Sequence, residues 1–262
     1  MDNERKTKFI ERQLISIKQI FKTYGEINKL DKSLEQLYPI VIVEDNDFFV
    51  FDLNSSGNKY EYKMNFPSKM NLPNEILAAF PLDDYEGKMA AVVTHKAFDN
   101  IEGIVFIFHE FVHCFQYYHH ETKIKETLTI AQEAERKQDY MWELNYPFPY
   151  NNEEFIRKTI ELNNGYDIKK YHTEMKTILN EKEFEYMIWQ EWKEGYARYI
   201  ENMIREKIGI KRNSKILNPP FDRICFYEIG SKYIETLIKR NIELKNNSEK
   251  IFYEINDKGI NK

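Results

Sequence analysis

The sequence predicts an α+β protein: an N-terminal lobe built on a mixed β-sheet, followed by a mainly α-helical lobe. Three observations carry this expectation. Short strand-like runs fall before residue 95. Apolar residues at helical spacing dominate almost everything after it. One strongly apolar stretch, residues 101–118, stands where the two patterns meet. Strands first and helices second is the order of an α+β chain, not of alternating βαβ units. The 262 residues suffice for one large domain or two lobes with a shared core, and the expected division is 1–97 and 98–262.

Taken in order, residues 4–23 carry Phe9, Ile10, Leu14, Ile15, Ile17, Ile20 and Phe21 at helical spacing. Residues 39–43 and 48–53 are strand-like, and Glu44-Asp45-Asn46-Asp47 between them predicts a hairpin. Asn54-Ser55-Ser56-Gly57-Asn58 is a turn, 60–66 a further strand, and 73–80 a short helix. Residues 88–95, built on Met89-Ala90-Ala91-Val92-Val93, form another strand. Lying just before the apolar stretch, it is either an ordinary buried strand or an edge that pairs with an extended peptide.

Helices follow over 99–119 and 121–143, the latter ending before Pro147 and Pro149. Asn152 precedes a helix to about residue 162, and Asn163-Asn164-Gly165 breaks the chain. Helices over 167–179 and 181–208 come next, the second opened by Asn180 and Glu183 in the pattern of a capping box. Pro219-Pro220 is a stop. Residues 221–239 and 248–255 close the chain as helices.

Hydrophobic content of 42 % and aromatic content of 15 % mark a globular chain rather than a disordered one. The net charge is -5, with lysines scattered among glutamates, so there is no basic footprint for nucleic acid. The longest apolar run falls short of the roughly 18 residues a membrane span needs. Two cysteines, Cys114 and Cys225, make no disulfide framework. Cys114 reads as a small buried hydrophobe. The opening Met1-Asp2-Asn3-Glu4-Arg5-Lys6 is not a signal peptide. These features together predict a cytoplasmic protein, and the heavy use of Lys, Asn, Ile and Glu resembles an AT-rich bacterial genome.

The chemistry is concentrated in His109-Glu110-Phe111-Val112-His113, an H-E-x-x-H motif. Two histidines four apart share one helical face, so both imidazoles can hold one metal ion. The glutamate beside the first is placed to act on a water at that metal. Ile104, Val105, Ile107, Phe108, Phe111, Val112 and Phe115 make the helix apolar nearly all round. Two histidines and a glutamate would be costly to bury there without partners. The motif points to a zinc-dependent peptidase; the competing reading is a buried helix with two satisfied histidines.

Catalytic zinc takes three protein ligands and a water. The third ligand is sought in Gln190-Glu191-Trp192-Lys193-Glu194-Gly195-Tyr196-Ala197-Arg198-Tyr199. Glu194 can reach the metal if its helix packs against the motif helix. Gly195 costs about 1 kcal/mol against alanine in a helix interior, and a close helix–helix approach would explain it. Glu191, on the same face, is a second candidate or a group supporting Glu194. His119 lies ten residues after His109, as in the metzincin pattern, but Gln116 stands where that pattern has its turning glycine. A continuing helix would carry His119 about 15 Å from His109 along the axis.

H-E-x-x-H followed much later by the E-G-x-A of Glu194-Gly195-Tyr196-Ala197 resembles the gluzincin group of zinc metallopeptidases, which includes thermolysin-like and aminopeptidase-like enzymes. The resemblance covers short motifs in the second half of the chain. It implies a thermolysin-like zincin architecture with the motif helix at the junction of the lobes, zinc as cofactor, and Glu194 as third ligand beside His109 and His113. Tyr227-Glu228-Ile229-Gly230 is similar to the Tyr-x-x-Gly helix of the aminopeptidase-like members, which implies that Tyr227 hydrogen-bonds the oxyanion. The chain departs from these groups at Lys193, where aminopeptidase-like members have Asn, and at Arg198, where thermolysin-like members have an acidic residue. The Gly-rich exopeptidase segment upstream of the motif helix is missing.

The expected reaction is hydrolysis of a peptide or protein substrate, with Glu110 as general base and Tyr227 or His95 at the oxyanion. Three other readings stay open: a non-catalytic metal-binding protein, a structural or interaction protein, and a metzincin-like protease using His119. The aromatic segment 140–150 either lines a cleft or packs as a loop.

Overall fold

The computed structural model describes residues 2–69 and 76–256. It is an α+β fold with a five-stranded mixed sheet. The chain forms two compact units, Met1–Tyr118 with Met203–Lys211, and His119–Asn202 with Arg212–Lys262.

The first unit opens with helix α1 (Asn3–Ile27), capped by Asp2, whose side chain accepts from the Arg5 amide. Strands β1 (Ile40–Glu44), β2 (Asp47–Leu53), β3 (Tyr60–Pro67), β4 (Leu77–Leu82) and β5 (Lys88–Thr94) follow. Their order in the sheet is β3-β2-β1-β5-β4. β1 and β5 run parallel; every other pair is antiparallel. The β1–β2 turn is Asp45-Asn46, both at positive φ, as a two-residue hairpin of right-handed twist requires. The central strands β1, β2 and β5 are buried on both faces. Val41, Phe48, Val50, Leu82, Ala90 and Val92 form a cluster on one side. On the other side Phe9 of α1 meets Phe49 at 4.8 Å between ring centroids.

One sequence expectation fails here and one open alternative is decided. Residues 77–80 are strand, not helix; the start of that expected helix lies outside the described residues. β4 is an edge strand, which is where Pro81 is tolerated, since proline cannot donate to a ladder. β5 is not an edge. It lies between β1 and β4, with Ala90, Ala91, Val92 and Val93 wholly buried, so its backbone is not open to a peptide.

Helix α2 (Ile101–Gln116) carries the motif. Asn100 caps it by accepting from the Gly103 amide at 3.0 Å. A Cβ on Gly103 would collide with the Ala97 carbonyl, so the first turn rests on the backbone of the preceding 3-10 turn, His95–Phe98. A π-helical turn, Tyr117–Glu121, follows. The Tyr118 hydroxyl accepts from the Met89 amide of β5 at 2.8 Å.

In the second unit the expected long helix over 121–143 is three short ones: α3 (Thr122–Lys125), α4 (Thr129–Arg136) and α5 (Trp142–Asn145). Gln138 at positive φ separates the last two. α6 (Glu153–Glu161) is capped by Asn152, and α7 (Ile168–Ile178) by Asp167. α8 (Glu181–Lys207) opens with the expected capping box: Asn180 N–H to Glu183 at 2.8 Å, Glu183 N–H to Asn180 at 3.0 Å. α9 (Cys225–Arg240) and α10 (Ser248–Ile255) complete the unit. Within the aromatic segment, Trp142 and Phe148 are buried and Tyr146 stacks on Tyr186 at 4.8 Å, while Tyr140, Met141 and Leu144 are exposed. Among the described residues no helix is long and apolar enough to cross a membrane.

Candidate metal centre

His109 and His113 lie one turn apart on α2 with ring centroids 5.0 Å apart. Both are buried, as is Glu110. Burial follows from the helix itself, whose Ile104, Val105, Ile107, Phe108, Phe111 and Val112 are essentially inaccessible. His113 Nδ1 lies 2.9 Å from Gln116 Oε1. Nδ1–H donating to that oxygen leaves Nε2 with the ring's lone pair, the tautomer a metal ligand needs. Gln116 thus has a defined task at the position where the metzincin pattern has glycine.

Glu194 stands in the middle of α8 and is buried. Arg223, just before α9, donates from Nη1 to Glu194 Oε1 at 2.5 Å, to Tyr227 Oη at 3.3 Å and to Gln190 Oε1 at 3.5 Å. Burial works against the Arg223 charge, but Glu194 and Tyr227 outweigh it and raise its pKa above the ordinary guanidinium value. Tyr227 is held between two guanidiniums, Arg198 at 5.4 Å and Arg223 at 5.6 Å from its ring centroid.

The close approach anticipated at Gly195 is real, but its partner is α9. A Cβ on Gly195 would lie 2.6 Å from the Gly230 backbone, and one on Gly230 would strike the Glu191 carbonyl. Gly195 of the E-G-x-A segment and Gly230 of the Tyr-x-x-Gly segment are therefore one contact, and it fixes how Glu194 and Tyr227 are presented by neighbouring helices.

His109, His113 and Glu194 each offer one ligand atom, and these atoms lie within 4.8 Å of one another. Donors around a tetrahedral zinc stand about 3.3 Å apart. Two imidazoles and one carboxylate are a donor set that suits zinc with one position left for water. His119 is exposed in the π turn and Glu191 is wholly buried against His172, whose Nε2 lies 2.7 Å from its carboxylate; neither belongs to the grouping. His95 pairs with Glu44 at 3.2 Å. Cys114 and Cys225 are buried, and burial first, then Glu191, pushes the Cys225 thiol up.

Arg223 was not legible as a site residue. In a chain with 38 lysines and arginines, nothing but its spacing of four from Tyr227 distinguishes it. Lys193, the departure from the aminopeptidase-like pattern, has a structural reason. It bonds Glu121 at 3.0 Å and Glu143 at 2.8 Å, while Lys125 reaches the same two carboxylates at 3.2 and 2.8 Å. Comparison with protein-family models, with curated proteins and with solved structures found no match to the chain.

Proposed function

We propose that the chain is a zinc-dependent metallopeptidase of gluzincin type, with a thermolysin-like arrangement of its elements, acting in the cytoplasm on peptides or proteins. The observation that carries this reading is the grouping of His109, His113 and Glu194, with ligand atoms within 4.8 Å and Glu110 beside the first of them in sequence. His109, His113 and Glu194 would hold the ion. Zinc bound there supplies a Lewis acid that polarises a carbonyl and acidifies a water.

Glu110 takes a proton from the attacking water as its oxygen bonds the peptide carbon. It then delivers that proton to the leaving nitrogen as the C–N bond breaks. Gln116 keeps His113 in the Nδ1–H tautomer throughout. Tyr227 donates a hydrogen bond from its hydroxyl to the developing oxyanion. The hydroxyl accepts from Arg223 at 3.3 Å.

Elemental analysis of the purified protein with Glu194→Ala and His119→Ala tests the ligand set. The expected result is one zinc per chain, lost in Glu194→Ala and kept in His119→Ala. The reverse pattern would make the site metzincin-like, and no zinc in any form would remove it. Glu110→Gln should keep zinc and lose hydrolysis of a quenched peptide library; full activity in that variant would end the mechanism.

A further inference from the structure

We propose that Arg223 docks a carboxylate of the substrate on its Nε–Nη2 edge, beside the metal centre. This deepens the metallopeptidase reading and rests on it for calling the ligand a substrate. Among the described residues, the hydrogen bonds of Arg223 run through one nitrogen, Nη1, to Glu194, Tyr227 and Gln190. Nε and Nη2 donate to no group among the described residues. The side chain is 27 % exposed, so it is held firmly and still reachable.

The unused edge is the one that presents two parallel N–H groups at the spacing of a carboxylate's oxygens. Neutralising Glu194 requires only a point charge, which a lysine would supply. The planar fork is surplus to that task. It is also pre-organised: Glu194 anchors one nitrogen, and the Tyr227 ring lies 5.6 Å away. With an ion on Glu194, that carboxylate would serve two cations, and the local excess of positive charge would favour an anionic group at the open edge. A carboxylate docked there would lie on the same guanidinium that holds Glu194 and Tyr227. It can come from the free C-terminus of a peptide or from an Asp or Glu side chain.

The test is calorimetric binding to zinc-supplied Glu110→Gln protein, with zinc content measured on each sample. The probes are acetyl-Ala-Ala-Phe against its C-terminal amide, and acetyl-Ala-Glu-Ala-amide against its Gln counterpart. A carboxylate should strengthen binding by about tenfold or more in at least one pair, and which pair does so identifies the source. Adding Arg223→Gln should collapse that ratio to near unity. Adding Arg223→Lys, which keeps a cation beside Glu194 without the fork, should bring it below about threefold. Equal affinities within each pair, no binding of either acid, or a ratio that survives in Arg223→Lys would overturn the proposal. Binding of the acids through Arg223 in a protein that holds no zinc would keep this inference and remove the metallopeptidase reading.

Discussion

Helices α2 and α8 supply the candidate ligands from opposite backgrounds. α2 is apolar, and its buried polar residues are His109, Glu110, His113 and Gln116: the motif and the group that orients it. α8 buries Glu185, Gln190, Glu191, Glu194, Arg198, Glu201, Asn202 and Arg205. Each of these is matched locally. Glu185 accepts from the Ile130 amide, Gln190 donates to the Glu143 carbonyl, Glu191 meets His172, Glu194 meets Arg223, and Arg198 meets Glu201. Arg205 pairs with Glu102 at the start of α2. In a hydrophobic helix a functional side chain stands out because nothing else explains it. In a charged helix it is one ion-paired group among several.

The largest effect that would sharpen this contrast lies in the charge network of the second unit. Lys193→Met leaves Glu121 and Glu143 short of a cation and should cost about 3–5 kcal/mol in urea unfolding. The network also predicts a pH limb. Burial alone would raise the Glu143 pKa, but Lys193 and Lys125 overcome it and hold the carboxyl at about 2. A depressed carboxylate contributes stability above its unfolded pKa of about 4.3 and loses it as pH falls through the folded value. Unfolding free energy should therefore decline between about pH 4.5 and 2, and Glu143→Gln should flatten that decline. An unchanged limb in the variant would show that the network does not set it.

Next in size are the two glycine contacts, one in each unit. Gly230→Ala and Gly103→Ala place a methyl against backbone rather than against a flexible side chain, and each should cost about 1–3 kcal/mol. A neutral result at Gly230 would show that α8 and α9 can slide apart, and would weaken the fixed presentation of Glu194 and Tyr227. Gln116→Ala should lower zinc affinity by about 10- to 100-fold in a competition titration, and because the side chain is wholly buried it should also lower the metal-free melting temperature. The smallest effect belongs to the exposed bridges of Arg157 with Glu154 and Glu161, where Arg157→Ala should cost less than about 1 kcal/mol.

The same contrast explains what could be read from the chain. The Asp45-Asn46 hairpin, the Asn180/Glu183 box and the Asn152 and Asp167 caps are local, so their residues announce them. β4 was hidden because Leu77-Ala78-Ala79-Phe80 has no clear alternation, and strand character there comes from pairing with β5. The interior position of β5 is likewise a property of the sheet, since sequence order does not reveal strand order. The breaks between α3, α4 and α5 lack glycine or proline; Gln138 takes the positive φ instead. At the candidate site, His109, Glu110 and His113 were legible from spacing and Glu194 from the need for a third ligand beside Gly195, whereas Arg223 needed coordinates.

The Gly195–Gly230 contact constrains both helices at once. Because each glycine faces the other helix's main chain, neither can change without pushing two backbones apart. The pair is thus one steric seam recorded at two distant places in the chain, flanked by Glu194 on one side and Tyr227 on the other. A side chain added at either place meets the other helix's main chain, whatever residue stands at its counterpart.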